Sequence, residues 1–124
     1  MMNFNDMFDV TGKVVLITGG AGGIGRGIAG AFVAGGARVY IASRSDLTED
    51  AEELSKYGVG ECIGLQADLA RDEDIISLTK QIKERENKLH VLVNNAAIAN
   101  LIHQFEDFPI DDFDTLIRVN LRAP

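Results

Sequence analysis

The chain has 124 residues, is 46% hydrophobic and 25% charged, and carries a formal net charge of −7. That length suits one small domain with a core, and the acidic balance argues against general affinity for nucleic acid. The acids are dispersed along the chain, as on a solvated surface. Cys62 is the only cysteine, so no intrachain disulfide forms, and its apolar neighbours make it buried filler rather than a nucleophile. No apolar run approaches the roughly 20 residues that span a bilayer. Met1 to Phe8 lacks the basic and apolar regions of a signal peptide. The cytosol is the default expectation.

Phe4 to Thr11 reads as a lead-in, and Thr11-Gly12-Lys13 as a turn. Val14 to Thr18 is an apolar run of the kind that forms a strand buried on both faces. It breaks into five glycines between Gly19 and Gly25, then resumes as a helix from about Gly23 to Ala34, closed by Gly35-Gly36. Strand, glycine turn and helix together suit a dinucleotide pyrophosphate. The helix N-terminus offers unpaired N–H groups and a partial positive charge, and glycines let phosphate approach the backbone. A P-loop is disfavoured, because Arg26 stands where Lys-Ser or Lys-Thr would follow the glycines.

Ala37 to Ala42 is the second strand, ending at Ser43-Arg44-Ser45. An acid at that strand end would bind both ribose hydroxyls and select NAD. Ser43 followed by Arg44 offers instead a guanidinium for a 2′-phosphate, which predicts NADP(H), with NAD(H) as the lesser option. Leu47 to Tyr57 reads as a helix with Ala51 and Leu54 inward, and Cys62 to Gln66 as the third strand. Two roles are open to Asp68 after it: accepting from the adenine amino group, with Leu69 on the ring, or capping the next turn. Asp72 to Glu86 is a helix with Asp72 as N-cap and Ile75, Ile76, Leu78, Thr79 and Ile82 inward. Leu89 to Val93 is the fourth strand. Asn94-Asn95-Ala96-Ala97 follows, with amides able to tie strand ends and small residues that admit a ligand. After an irregular stretch, Asp111 to Leu121 is a helix with Phe113, Leu116, Ile117 and Asn120 inward. Asp111, Asp112 and Asp114 read as first-turn acids. His90 and His103 are isolated and suggest no metal site.

Strands and helices alternate strictly, which predicts a parallel sheet covered on both faces. A strand order of 3-2-1-4 puts the winding reversal between strands one and four, and ligands bind beyond the strand ends there. The glycine turn, Ser43-Arg44-Ser45, Ala67-Asp68-Leu69 and Asn94 to Ala97 would then meet at one edge.

Together these residues resemble the short-chain dehydrogenase/reductase family, in its short one-domain branch, from Thr11 to Leu121. The family's Thr-Gly-x-x-x-Gly-x-Gly motif looks met by Thr18, Gly19, Gly23 and Gly25, with Ile24 between. Its Asn-Asn-Ala-Gly motif looks met by Asn94, Asn95 and Ala96, with Ala97 in place of the glycine. Because Gly22 is also present, the turn fits the longer epimerase-type branch too; Asn95-Ala96 and Asn120 favour the short one. The resemblance implies a Rossmann-type doubly wound α/β fold with three αβα layers. It implies cofactor contacts from Thr18, Gly19, Gly23, Ile24, Gly25, Ser43, Arg44, Asp68, Leu69, Asn95, Ala96 and Ala97. Asn120 looks like the family's helical catalytic asparagine, which holds a water in a proton relay.

Within the branch the chain is similar to 3-oxoacyl-(acyl-carrier-protein) reductases, including the rhamnolipid type, and to sugar-acid and polyol dehydrogenases. That implies hydride transfer between NADPH and a ketone, alcohol or 3-oxoacyl substrate, in a homo-oligomer, usually a tetramer. The family's catalytic serine and Tyr-x-x-x-Lys pair fall downstream of the asparagine helix, and neither Tyr40 nor Tyr57 has the lysine. The expectation is an N-terminal cofactor half that shows no turnover alone. A rival expectation is a non-catalytic dinucleotide-binding module.

Overall fold

The computed structural model describes residues 1, 3–99 and 104–124. In chain order the elements are α1 (Phe4–Met7), β1 (Val14–Thr18), α2 (Gly23–Ala34), β2 (Arg38–Ser43), α3 (Thr48–Ser55), β3 (Glu61–Gln66), α4 (Asp72–Glu86), β4 (Val91–Val93) and α5 (Ile110–Ile117). A short 3-10 turn, Phe105–Asp107, precedes α5, and a π-helical turn, Arg118–Arg122, continues it. The four strands form one parallel sheet in the order β3-β2-β1-β4, as the alternation predicts.

Residue alternation along β1 and β2 sends side chains to two cores. Val15, Ile17, Val39 and Ile41 face Ala29 and Val33 of α2 and Ala51 and Leu54 of α3. Val14, Leu16, Tyr40 and Ala42 pack with Leu65, and with Leu78 and Ile82 of α4. All five residues of β1 are buried, as its unbroken apolar run requires. Cys62 belongs to the first core, and burial pushes its thiol up to about 11, so it is no nucleophile at neutral pH.

Several expectations shift. β4 starts at Val91, not Leu89; His90 precedes it and is bonded to β1 twice, its Nδ1 accepting from the Val14 N–H at 2.8 Å and its own N–H donating to Val14 O at 2.9 Å. α3 ends at Ser55, and Tyr57 lies beyond it against Gly30, where a Cβ would come within 2.7 Å of the ring. The N-cap of α4 is Arg71 rather than Asp72, and no side chain caps the helix. Ile76 and Thr79 of α4 are exposed, so its buried stripe narrows to Leu78 and Ile82 with Ile75 half-buried. In the last helix Phe113 and Ile117 are exposed, and beyond them the π turn from Arg118 shifts the helical phase, so that Val119 is buried and Asn120 is exposed.

Candidate cofactor site

All four strands point their carboxyl ends at one edge, and a cleft of about 240 Å³ lies there. Gly19, Ser43, Arg44, Asp68, Leu69, Ala96 and Ala97 line it, so the four sequence-distant segments do meet. Ala42, Ala67, Ala70, Ile98, Thr115 and Val119 complete the wall. Of these, Ala67 is expected at this edge from the sequence; the others belong to no motif and carry no charge that would mark them.

The glycine turn is held from two sides. Thr18 Oγ1 accepts from the N–H groups of Asn95 at 3.2 Å and Ala96 at 3.0 Å. Asn95 Nδ2 donates to the carbonyls of Thr18 at 2.9 Å and Gly19 at 3.1 Å. The end of β4 is thereby tied to the end of β1, as the paired amides suggest. Thr18 and Asn95 position the cleft rather than line it.

Each glycine serves a different need. Gly19 and Gly23 have φ of +67° and +53°, in the left-handed region that favours glycine. Gly25 lets α2 start against the turn: a Cβ there would lie 2.2 Å from the Gly19 carbonyl oxygen. Over Gly22 and Gly23, a Cβ would meet nothing within 4 Å. Among the described residues, the N–H groups of Gly23, Ile24 and Gly25 donate no hydrogen bond, and the ladder of α2 starts with Arg26 N–H to Gly22 O at 3.2 Å. Open space above unpaired N–H groups at a helix start fits a diphosphate. Ile24 is 78% exposed, and its contribution to that set is its unpaired backbone N–H.

At the end of β2, Ser43 Oγ lies 3.1 Å from Ser45 Oγ. The Arg44 carbonyl accepts from Gln66 Nε2 at 2.7 Å, which pins the backbone of that corner. Arg44 is exposed and has no ion-pair partner among the described residues. Asp68 does cap its turn: Oδ1 accepts from Ala70 N–H at 2.9 Å. Its own N–H donates to Asp74 Oδ2 at 2.8 Å, so α4 fixes this corner. Since Asp68 also lines the cleft, both roles open to it are sterically compatible.

Asn120 is exposed, and its amide clamps Ile98: Oδ1 accepts from Ile98 N–H at 2.9 Å and Nδ2 donates to Ile98 O at 2.7 Å. Neither tyrosine reaches the cleft. Tyr40 is fully buried, with its hydroxyl donating to Glu86 Oε1 at 2.5 Å, and Tyr57 sits on Gly30. His103 lies outside the described residues. Among the described residues no cluster of His, Cys, Asp or Glu suits a metal ion, and no helix is long and apolar enough to cross a membrane.

The family model for short chain dehydrogenases matches residues 13–124. The short chain dehydrogenase/reductase dpmpG of Macrophomina phaseolina is 38% identical over 118 residues, covering 94% of this chain and 67% of its relative. An NAD-dependent glycerol dehydrogenase of Listeria innocua is 32% identical over 121 residues, covering 97% of this chain and 46% of its relative. Among solved structures, RhlG of Pseudomonas aeruginosa in an NADP active-site complex superposes with a TM-score of 0.85 at 31% identity. That match covers 94% of this chain and 45% of RhlG. The chain thus spans about half the length of two of these three proteins. The glycine turn, the parallel sheet wound 3-2-1-4 and the match from Lys13 to the last residue together show that this chain belongs to the short-chain dehydrogenase family.

Proposed function

We propose that the chain is the NADP(H)-binding part of an oxidoreductase acting on a ketone, alcohol or 3-oxoacyl group. The observation that carries this reading is Arg44, a guanidinium without an ion-pair partner among the described residues, beside Ser43 on the wall of the cleft. Relatives of the chain include one named for NAD and one solved with NADP, so the choice of dinucleotide falls to this strand end. Arg44 offers a forked, permanently charged partner for a 2′-phosphate, and no carboxylate follows β2 before Asp46 to claim the ribose hydroxyls.

The residues divide the work of holding the dinucleotide. The N–H groups of Gly23, Ile24 and Gly25 face the diphosphate, and Gly19 keeps the turn open beside it. Ser43 and Arg44 take the ribose phosphate, and Asp68 with Leu69 takes the adenine. Ala96 and Ala97 admit the second ribose close to the backbone. Thr18 and Asn95 hold these segments in register through the bonds described above. Asn120 is proposed as the residue of this chain at the catalytic end, and its clamp on Ile98 fixes that wall. The nicotinamide, when bound, supplies the hydride chemistry. Carbonyl reduction also needs a proton donor, and neither tyrosine of this chain offers one at the cleft. The whole protein is proposed to work as a cytoplasmic homo-oligomer.

Titration of the chain with NADPH and NADH, followed by nicotinamide fluorescence, tests the reading. Saturable binding with NADPH preferred, and loss of that preference in Arg44→Gln, is expected. Equal or tighter NADH binding by the unaltered chain refutes the cofactor assignment.

A further inference from the structure

Arg26 has no role in the cofactor contacts above, yet it pairs with two carboxylates of a neighbouring helix. It sits in the first turn of α2, directly after the glycines. Its Nη1 lies 2.6 Å from Asp50 Oδ1 and its Nη2 lies 2.6 Å from Glu53 Oε2, both on α3. The same Nη1 is 3.4 Å from the carbonyl oxygen of Ala21, inside the glycine turn. One guanidinium therefore joins the turn, the start of α2 and two successive turns of α3.

The placement of α3 gives this fork an electrostatic meaning. The helix begins five residues after the end of β2, on the side of the sheet that carries α2. From Asp46 to Ser55 the chain holds five acids (Asp46, Glu49, Asp50, Glu52 and Glu53) and no basic residue. Asp46 is engaged locally, accepting from the N–H and hydroxyl of Thr48. An acidic helix beside Arg44 opposes a ligand that brings extra negative charge to that corner. Among the described residues, Arg26 is the cation paired to these acids, and it offsets two of them.

We infer that Arg26 is a positioning and specificity-determining residue: it braces the glycine turn through Ala21 and offsets the acids of α3, so that the 2′-phosphate of NADP(H) is tolerated beside Arg44. The inference rests on the NADP(H) reading of the cleft. Its geometry also separates the two dinucleotides. The brace and the charge both act on the diphosphate, which both dinucleotides carry, whereas only NADP(H) brings a 2′-phosphate for the charge to act on as well.

Affinities for NADPH and NADH are measured at low and moderate salt for the unaltered chain, Arg26→Gln, Arg26→Lys and the pair Asp50→Asn with Glu53→Gln. Arg26→Gln is expected to weaken NADPH binding about tenfold and NADH binding about threefold, as an unshielded charge at this corner implies. The NADPH loss should shrink with salt. Arg26→Lys keeps the charge without the fork, and should restore most of the NADPH-to-NADH ratio. In the Asp50→Asn/Glu53→Gln chain the acids are removed while Arg26 keeps its charge. NADPH binding should tighten about threefold there, with NADH changed less than twofold. This variant keeps the test open if Arg26→Gln folds poorly. An unaltered chain that prefers NADPH, with the same ratio in Arg26→Gln and in the Asp50→Asn/Glu53→Gln chain, overturns the inference and leaves the cofactor reading standing. An unaltered chain without NADPH preference fails the cofactor reading, and the specificity role falls with it.

Discussion

Replacing Gly25 by alanine tests how tightly the glycine turn is built. The added Cβ would lie 2.2 Å from Gly19 O, 2.5 Å from Asn95 Nδ2 and 3.0 Å from Gly19 C, where ordinary contact begins at 3.4 Å. Turn and helix must part by roughly 1 Å, and overpacking of this kind costs about 1–3 kcal/mol. The movement also strains two hydrogen bonds of Asn95 to Thr18 and Gly19, each contributing about 0.5–1.5 kcal/mol. A loss of about 2–6 kcal/mol follows, or about 8–24 °C in Tm at roughly 4 °C per kcal/mol for a chain of this size. The control is Gly22→Ala. Gly22 has φ of −145° and nothing within 4 Å of its Cβ position, so alanine fits there. Its melting temperature should stay within about 3 °C of the parent. Thermal denaturation followed by circular dichroism compares the three chains. Equal melting of Gly25→Ala and Gly22→Ala would refute the close-packed turn.

Other expectations follow from the same contacts. Burial pushes the Glu86 carboxyl up, but hydrogen bonds from Tyr40 and Arg38 outweigh it and hold it below the usual carboxylate range. A carboxylate lowered in the folded state adds stability that is complete above its unfolded value, about 4.3, and is lost as pH falls through the folded value. Tyr40→Phe should therefore cost about 1.5–3 kcal/mol at neutral pH and flatten the acid limb of the stability profile; an unchanged profile contradicts it. His90→Ala leaves the N–H of the buried Val14 without its acceptor and should cost about 1–3 kcal/mol by urea denaturation. Asn95→Ala unties β4 from the glycine turn and should lower both Tm and NADPH affinity, whereas lower Tm with full affinity would separate the clamp from binding. NADPH should bind the 124-residue chain without carbonyl reduction, and measurable reductase turnover would show that a proton donor had been overlooked.

The elements legible in the sequence are those with sharp local punctuation. β1, α2 and α4 have the bounds read from the residues, because glycines bracket α2 and an apolar run buried on both faces admits only a strand. The strand order followed from alternation, and with it the edge where the cleft lies. Long-range contacts were harder to read. β4 is shorter than the residues suggest, and the bond of the His90 side chain to Val14, 76 residues away in sequence, has no local signal. The last helix changes phase through a π turn that apolar spacing does not announce. Arg26 had one available signal, the pair Asp50 and Glu53 three apart on one face of α3, but only the packing of α2 on α3 turns those acids toward it. Asn120 was legible as an amide needing partners, while its partner, the backbone of Ile98, was not.

The most direct test of the central claim is an amide NMR titration of this 13.4 kDa chain with NADPH. The account predicts saturable shifts at Gly19 to Gly25, Ser43-Arg44, Asp68-Leu69 and Ala96-Ala97, with NADH sparing Arg44. Shifts confined to the opposite edge of the sheet, around Arg38, Glu61 and Glu86, or no saturable shift at all, would contradict it.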